Sequence, residues 1–210
     1  MKIVLLGPPG AGKGTQAEAI SKELNIPSIS TGDILRDAVN RKTPVGVRAK
    51  AIIDAGGLVP DEVIIGIVID RVSKKDCEGG YILDGVPRTL VQAEALDEQG
   101  IHLDTVLSIE ISDEEVIERL GGRRACPGCR STYHIVSKRP AIDGICDECG
   151  ATLITRNDDE KETISNRLHT YHKETEPLKE YYKSQGKLRT VNNVPGVAET
   201  TAEVMKALGI

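Results

Sequence analysis

The 210-residue chain contains no phenylalanine and no tryptophan, so its five tyrosines are its only large aromatic side chains. That absence leaves no platform for stacking nucleic-acid bases, and the interior has to be built from Ile, Val, Leu and Ala. Positive charge is in deficit as well: 27 Lys and Arg stand against 32 Asp and Glu, a net charge of −5. This balance argues against broad binding to nucleic acid or to a membrane, and any basic groups that meet phosphates must be gathered locally in a cleft. No apolar run approaches the roughly 20 residues of a membrane span. The N-terminal apolar stretch ends at Gly7-Pro8, too soon for a signal peptide, and a cytoplasmic protein is expected.

What is present is a globular composition, with 39% hydrophobic and 28% charged residues, enough to bury a core. At about 150 residues per domain, one core with small insertions is the natural reading. Short apolar runs at 3–6, 81–83, 106–109 and 188–191 alternate with longer helical patterns, the signature of an α/β fold in which a parallel sheet is wound with helices. After Pro60 and Asp61, natural start signals, Val63, Ile64, Ile67, Val68 and Val72 follow a helical rhythm, and Gly56-Gly57 closes the helix before them. A longer helix is expected over 159–184, interrupted near Pro177, with Ile164, Leu168, Tyr171 and Leu178 on one face. There are no repeats.

The strongest local signal is an apolar run broken by a glycine loop that ends in lysine: Gly7-Pro8-Pro9-Gly10-Ala11-Gly12-Lys13-Gly14-Thr15 after Ile3, Val4, Leu5 and Leu6. Residues 16–24 suit a helix with Ala17, Ile20 and Leu24 inward. Strand, glycine loop, lysine and helix in this order make a phosphate cradle: successive N–H groups turn toward a polyphosphate, the helix N-terminus adds partial positive charge, and Lys13 adds a full one. A plain Gly-Pro turn would need none of these neighbours. The general motif has Ser or Thr directly after the lysine; here Gly14 intervenes and Thr15 follows.

The stretch from 121 to 158 differs from the rest, rich in Gly and Pro and holding four of the five cysteines. Cys126-Pro127-Gly128-Cys129 and Cys146-Asp147-Glu148-Cys149 are two Cys-x-x-Cys knuckles at the spacing of a four-thiolate zinc site. Two disulfides are the alternative, disfavoured in a reducing compartment. Four ligands close the shell, so the ion is expected to be structural. His134 could substitute as a ligand but reads as a solvated or packing residue, and Cys77, beside Asp76 and Glu78, reads as a bystander.

Taken together with Thr31-Gly32-Asp33-Ile34-Leu35-Arg36, Gly57-Leu58-Val59-Pro60-Asp61, Asp84-Gly85-Val86-Pro87-Arg88-Thr89, Gln92-Ala93, Arg119, Gly122-Arg123-Arg124, Arg156 and Arg167, these motifs are those of one family. Over essentially its whole length the chain resembles an adenylate kinase of the zinc-lid type, in which the Gly14-Thr15 displacement is usual. The resemblance implies reversible phosphoryl transfer from magnesium-ATP to AMP, giving two ADP. It implies catalytic roles for Lys13, Arg88, Arg123, Arg156 and Arg167, with Asp84 orienting water around magnesium. It implies that Gly10, Ala11, Gly12, Lys13, Gly14 and Thr15 with Arg119 and Arg123 hold ATP, that Thr132 and Tyr133 lie over it, and that the backbone near Pro195 meets adenine. Thr31, Arg36, Gly57, Leu58, Val59, Gly85, Val86, Pro87, Arg88 and Gln92 would hold AMP, with Arg156 and Arg167 at the phosphates. The family usually has Phe where Val86 stands, which implies a smaller apolar wall beside AMP.

Such a reaction needs positioning and charge stabilisation rather than a base. Taken singly, each arginine could be a solvated surface charge and Asp84 a helix cap; their joint order favours the site. The resemblance also divides the chain into a core at 1–29, 60–121 and 160–210, an AMP-binding insertion at 30–59 and a zinc lid at 122–159, with hinges at Gly121-Gly122 and 156–159. A monomer is expected. Two rivals stand: a kinase for another nucleoside monophosphate, and a zinc-ribbon ATPase or nucleic-acid-binding module, against which the acidic balance and missing aromatics weigh.

Overall fold

The computed structural model describes residues 1–194 and 196–210. The sheet begins with β1 (Lys2–Leu6), which runs through the phosphate loop into α1 (Lys13–Leu24) and then β2 (Ser28–Ser30). Three helices follow, α2 (Thr31–Asn40), α3 (Pro44–Asp54) and α4 (Asp61–Val72), before β3 (Tyr81–Asp84), α5 (Leu90–Glu98), β4 (Thr105–Glu110) and α6 (Asp113–Gly121). A small hairpin of β5 (Arg123–Ala125) and β6 (Thr132–His134) opens the cysteine-rich stretch. The chain closes with α7 (Lys161–Thr170), α8 (Leu178–Ser184), β7 (Leu188–Asn192) and α9 (Val197–Leu208).

The five strands of the main sheet lie in the order β2-β3-β1-β4-β7, all parallel. Because helices cover both faces, β1 is buried on both sides and reads as an unbroken apolar run. Val4 and Leu6 pack with Leu83, Val106, Leu96 and Tyr182 on one face, and Ile3 and Leu5 with Ile20, Ile82, Leu107 and Ile109 on the other. In the absence of Phe and Trp, two nearly sealed tyrosines, Tyr81 and Tyr182, are the bulkiest fillers. Among the described residues no helix is long and apolar enough to cross a membrane.

The four expected strands are present, each within one residue of its expected ends. The fifth, β2, was not expected: three residues, two of them serine, carry no periodicity. Ile64 and Val68 are buried in α4, with Val63, Ile67 and Val72 packed against the same core. The long C-terminal helix is broken earlier than its proline, by a π-helical turn at Tyr171–Thr175 that keeps both Tyr171 and Thr175 buried.

The pair α2 and α3 crosses unusually closely. Thr43 caps α3 by accepting from the Gly46 amide at 3.1 Å, while its own amide donates to the Ala38 carbonyl at 3.0 Å. A Cβ at Gly46 would run into the Ala38 carbonyl and the Val39 amide, closer than real Cβ contacts come. Helix propensity alone would make Gly46→Ala stabilising by about 1 kcal/mol, but forced overpacking costs about 1–3 kcal/mol. We expect a net loss, read as a fall in Tm of about 2–4 °C per kcal/mol for a chain of this size; a raised Tm would refute the close crossing.

Candidate active site

The strand order reverses at β1, so the loops leaving β1 and β3 open into one crevice at the carboxyl ends of the strands, where ligands of such sheets bind. Gly12 adopts φ +90°, a left-handed conformation that turns the chain into α1. Helices α2, α3, α5 and α6 each have a side-chain cap, from Ser30, Thr43, Thr89 and Ser112. Helices α4, α7, α8 and α9 have no side-chain cap but carry an acidic residue in the first turn; α1 has neither, which leaves its N-terminal field directed at the cleft. Lys13 Nζ donates to the carbonyls of Gly7 at 2.7 Å and Pro8 at 2.8 Å. Burial lowers the Lys13 ammonium pKa to about 8; Asp84 opposes this, and Arg88, Arg167 and Arg123 add to it.

Basic side chains from widely separated segments meet here. Arg123, opening β5, grips Asp159 with Nε at 2.8 Å and Nη2 at 2.5 Å. Arg167 of α7 reaches Asp158 at 3.0 Å and Asp159 at 3.1 Å. Arg36 of α2 pairs with Asp33 at 2.6 Å. Arg88 is held through its backbone and side chain together: its amide donates to Gln92 Oε1 at 2.7 Å, its Nε to the Gly85 carbonyl at 2.8 Å, and its carbonyl accepts from Thr175 at 2.9 Å. Burial, with Arg36 and Arg123 nearby, lowers Arg156 to about 10. Arg88 and Arg167 are lowered in the same way, by burial first. Burial also drives Asp84 upward against the pull of Lys13 and Arg88. Asp158, despite its burial, is held below its ordinary value by Arg167, Arg123, Arg36 and Arg156.

Lys13, Arg36, Asp84, Arg88, Arg119, Arg123, Arg156 and Arg167 all border one cleft of about 1360 Å³, wider than the roughly 300–1,000 Å³ of a single small-ligand pocket. Gly10, Gly12, Gly14, Thr15, Thr31, Gly57, Leu58, Val59, Gly85, Pro87, Gln92 and Thr132 border it too. Other expected residues sit differently. Val86 is fully buried in the core cluster beside Leu83 and Leu96, so it forms no wall of the cleft. The Ala11 side chain is likewise buried, and its amide is taken by the Pro8 carbonyl at 3.2 Å. Tyr133 borders the cleft but is 95% shielded: its ring belongs to the core of the cysteine-rich lobe and its hydroxyl accepts from the Asp147 amide at 2.9 Å. Pro195 lies outside the described residues. Gln92 is committed at both ends, to the Arg88 amide and to Asp61 Oδ1 at 2.7 Å, which leaves one N–H and one lone pair for a ligand. The anchoring partners Asp33, Asp61, Asp158, Asp159, Thr175 and Asn193 are not among the expected site residues; Asp33 and Asp61 lie within the family motifs, Asp158 and Asp159 lie two and three residues after Arg156 in the expected hinge, and Thr175 and Asn193 have no local signal.

The four sulfurs of Cys126, Cys129, Cys146 and Cys149 all lie within 4.8 Å of one another. Cys126 and Cys149 approach to 3.3 Å and Cys129 and Cys146 to 3.4 Å, beyond a disulfide's roughly 2.05 Å and near the about 3.8 Å edge of a tetrahedron with 2.3 Å metal–sulfur bonds. The donor set therefore fits a tetrahedral, thiophilic ion. His134 is outside it: its Nδ1 accepts from the amides of Val136 and Ser137, both at 3.1 Å, and its Nε2 is buried near Gly122 as a packing group. Cys77 is buried in the core, where Arg71 Nη1 donates to its sulfur at 3.0 Å.

A sequence model of the family described as Adenylate kinase matches residues 5–187. Among curated relatives, the adenylate kinase of Caldicellulosiruptor bescii is 52% identical over the whole of both chains. That of Acetivibrio thermocellus is 54% identical, covering 99% of this chain and 98% of its own. The adenylate kinase of Carboxydothermus hydrogenoformans is 50% identical over 99% of each.

The Asp159 carboxylate is fully shielded and shared by two guanidinium groups. Asp159→Asn keeps its volume but leaves Arg123 and Arg167 undercompensated, a loss of about 3–5 kcal/mol for a broken buried pair. In thermal scans we expect a lower Tm, and a larger recovery with inorganic tripolyphosphate than the wild type shows. An equal anion response in both proteins would contradict this electrostatic reading.

Proposed function

Because the chain belongs to the adenylate kinase family, we propose that it transfers the terminal phosphoryl group of ATP to AMP, reversibly, giving two ADP. The observation that carries this is one cleft bordered together by the uncapped N-terminus of α1 with Lys13, by Thr31, Arg36 and Arg88, and by Arg123, Arg156 and Arg167. The amides opening α1 and the Lys13 ammonium bind the triphosphate. Arg36 and Arg88 hold the acceptor phosphate. Arg123 spends two of its five N–H groups on Asp159, and the remainder border the cleft, where a planar fork can grip oxygens of the transferring group. Charge developing on those oxygens is met by fixed cations, so no general base is required.

Magnesium bound with ATP would neutralise charge on the polyphosphate, and the hard oxygens of Asp84 and Thr15 beside the loop would suit its water shell. Zinc suits the four-thiolate lobe, where it would be structural, since four protein ligands close its shell. Tyr133 supports these ligands from outside through its 3.5 Å contact with the Cys146 sulfur. Residues 30–59 and 122–159 act as two flaps on a core of 1–29, 60–121 and 160–210, and their closure excludes water from the transfer. ATP, AMP and ADP are its partners. The net charge of −5 speaks against nucleic acid, free thiols fit the reducing cytoplasm, and exposed apolar residues scattered over separate elements, such as Val47, Val91, Ile142 and Val197, fit a monomer.

A coupled assay of ADP formation from ATP with each of AMP, GMP, CMP and UMP tests the reading. AMP should give the highest kcat/KM, because a pocket that hydrogen-bonds adenine leaves its own polar groups unpaired when another base enters. A higher value for another acceptor would make the protein a kinase of that specificity. Purified protein should also carry one zinc per chain. Cys126→Ser should lower Tm by loosening the lobe, though by less than the 10–16 kcal/mol that zinc contributes in small peptides, since the core folds around its own sheet. A metal-free protein with an unchanged melt would remove zinc from the account.

A further inference from the structure

The loop after β7 carries a side chain that joins three elements on the donor half of the cleft. The Asn193 amide donates to the Glu110 carbonyl at 2.8 Å, which fixes its backbone at the end of the β4–β7 ladder. From that anchor its side-chain oxygen accepts from Arg119 Nη2 at 2.9 Å. Its side-chain nitrogen donates to the Ala11 carbonyl at 2.9 Å. Arg119 stands in the last turn of α6, and Ala11 lies in the phosphate loop. The two partners assign the carboxamide orientation, because a guanidinium only donates and a carbonyl only accepts. An aspartate could satisfy Arg119 but would turn its second oxygen toward the Ala11 carbonyl. A neutral group with one donor and one acceptor end is what the gap requires.

We propose that Asn193 is a positioning residue for the donor nucleotide: it holds the Arg119 guanidinium at a fixed place relative to the phosphate loop, so that one ATP is gripped in register by both. The inference rests on the adenylate kinase reading. An arginine left mobile has to be ordered each time a ligand binds, whereas one already pinned contributes its contacts without that entropy cost. Asn193 also closes on the loop itself, since a Cβ at Gly12 would sit 3.6 Å from its side-chain nitrogen. Its contacts with Arg119, Ala11 and Glu110 involve none of Thr31, Arg36, Arg88 or Gln92, so its effect should be confined to the donor.

The test is steady-state kinetics with ATP and AMP varied separately, and calorimetric ATP binding, on wild type, Asn193→Ala, Asn193→Asp, Arg119→Ala and the Asn193→Ala/Arg119→Ala double variant, with Tm recorded for each. Asn193→Ala should raise the KM and Kd for ATP about tenfold, the scale of ordering one rotamer-rich side chain, with KM for AMP within about twofold. Asn193→Asp should lose at least as much, since its carboxylate faces both the Ala11 carbonyl and the triphosphate. In the Arg119→Ala background the Asn193→Ala change should cost little more, because the two act as one unit. Equal effects on both nucleotides, additive effects of the two substitutions, or a lowered Tm with unchanged ATP affinity would each overturn the proposal. A wild type that makes no ADP from ATP and AMP would overturn the functional reading instead, and the ATP-binding arm would still decide the role of Asn193.

Discussion

Mutual repulsion among the cations gathered in one cleft is the constraint on which the rest of the site depends. Lys13, Arg36, Arg88, Arg123, Arg156 and Arg167 share a partly desolvated space in a chain whose net charge is −5. Two like charges about 8 Å apart cost on the order of 2 kcal/mol at an effective dielectric of about 20, and here neighbouring arginines act on Lys13, Arg88, Arg156 and Arg167 alike. The strain is visible in the depressed proton affinities of Lys13, Arg88, Arg156 and Arg167, where burial acts first and neighbouring arginines add to it. A polyphosphate is the natural counterion of such a cluster.

The aspartates make the arrangement tolerable without cancelling it. Asp33, Asp158 and Asp159 each engage an arginine directly, and Asp84 lies in the field of Lys13 and Arg88. Each of these pairs uses only part of a guanidinium. The carboxylates thus aim the arginines as well as compensate them: a side chain pinned through two N–H groups presents the others in a fixed direction, the condition for electrostatic stabilisation without reorganisation during transfer. The same logic applies to Arg88, whose backbone is held on either side by Gln92 and Thr175.

What could be read from the sequence follows the range of the interaction. The strand, loop and helix around Lys13 were legible because β1 is buried on both faces and announces itself as an apolar run. The cysteine knuckles were legible because metal ligation imposes short spacings. The basic residues were identified through family motifs, and they do border one cleft. Val86 was misplaced because an apolar residue beside a site motif gives no sign of which way it faces, and here the core takes it. Thr175 and Asn193 were invisible because each acts on a partner 74 or more residues away, through a single polar group with no periodicity or spacing to mark it. Their positions depend on a π-helical turn and on the end of a strand, features that only the assembled chain contains.

The absence of Phe and Trp bears most heavily on the cysteine-rich lobe. Its interior holds Tyr133 and Leu153 as the large side chains, with Cys126, Cys146 and a partly buried Ala151. The segment 122–159, 38 residues long, is below the size, about 40, at which apolar burial alone supports a fold. The main sheet can do without large aromatics because its two faces are sealed by helices, but the lobe has no second layer to bury against. Bonds from four thiolates to a metal ion would therefore take the part that a core plays elsewhere. A lobe held at one point in this way would keep its own shape, with Arg123 near one end of the segment and Arg156 near the other.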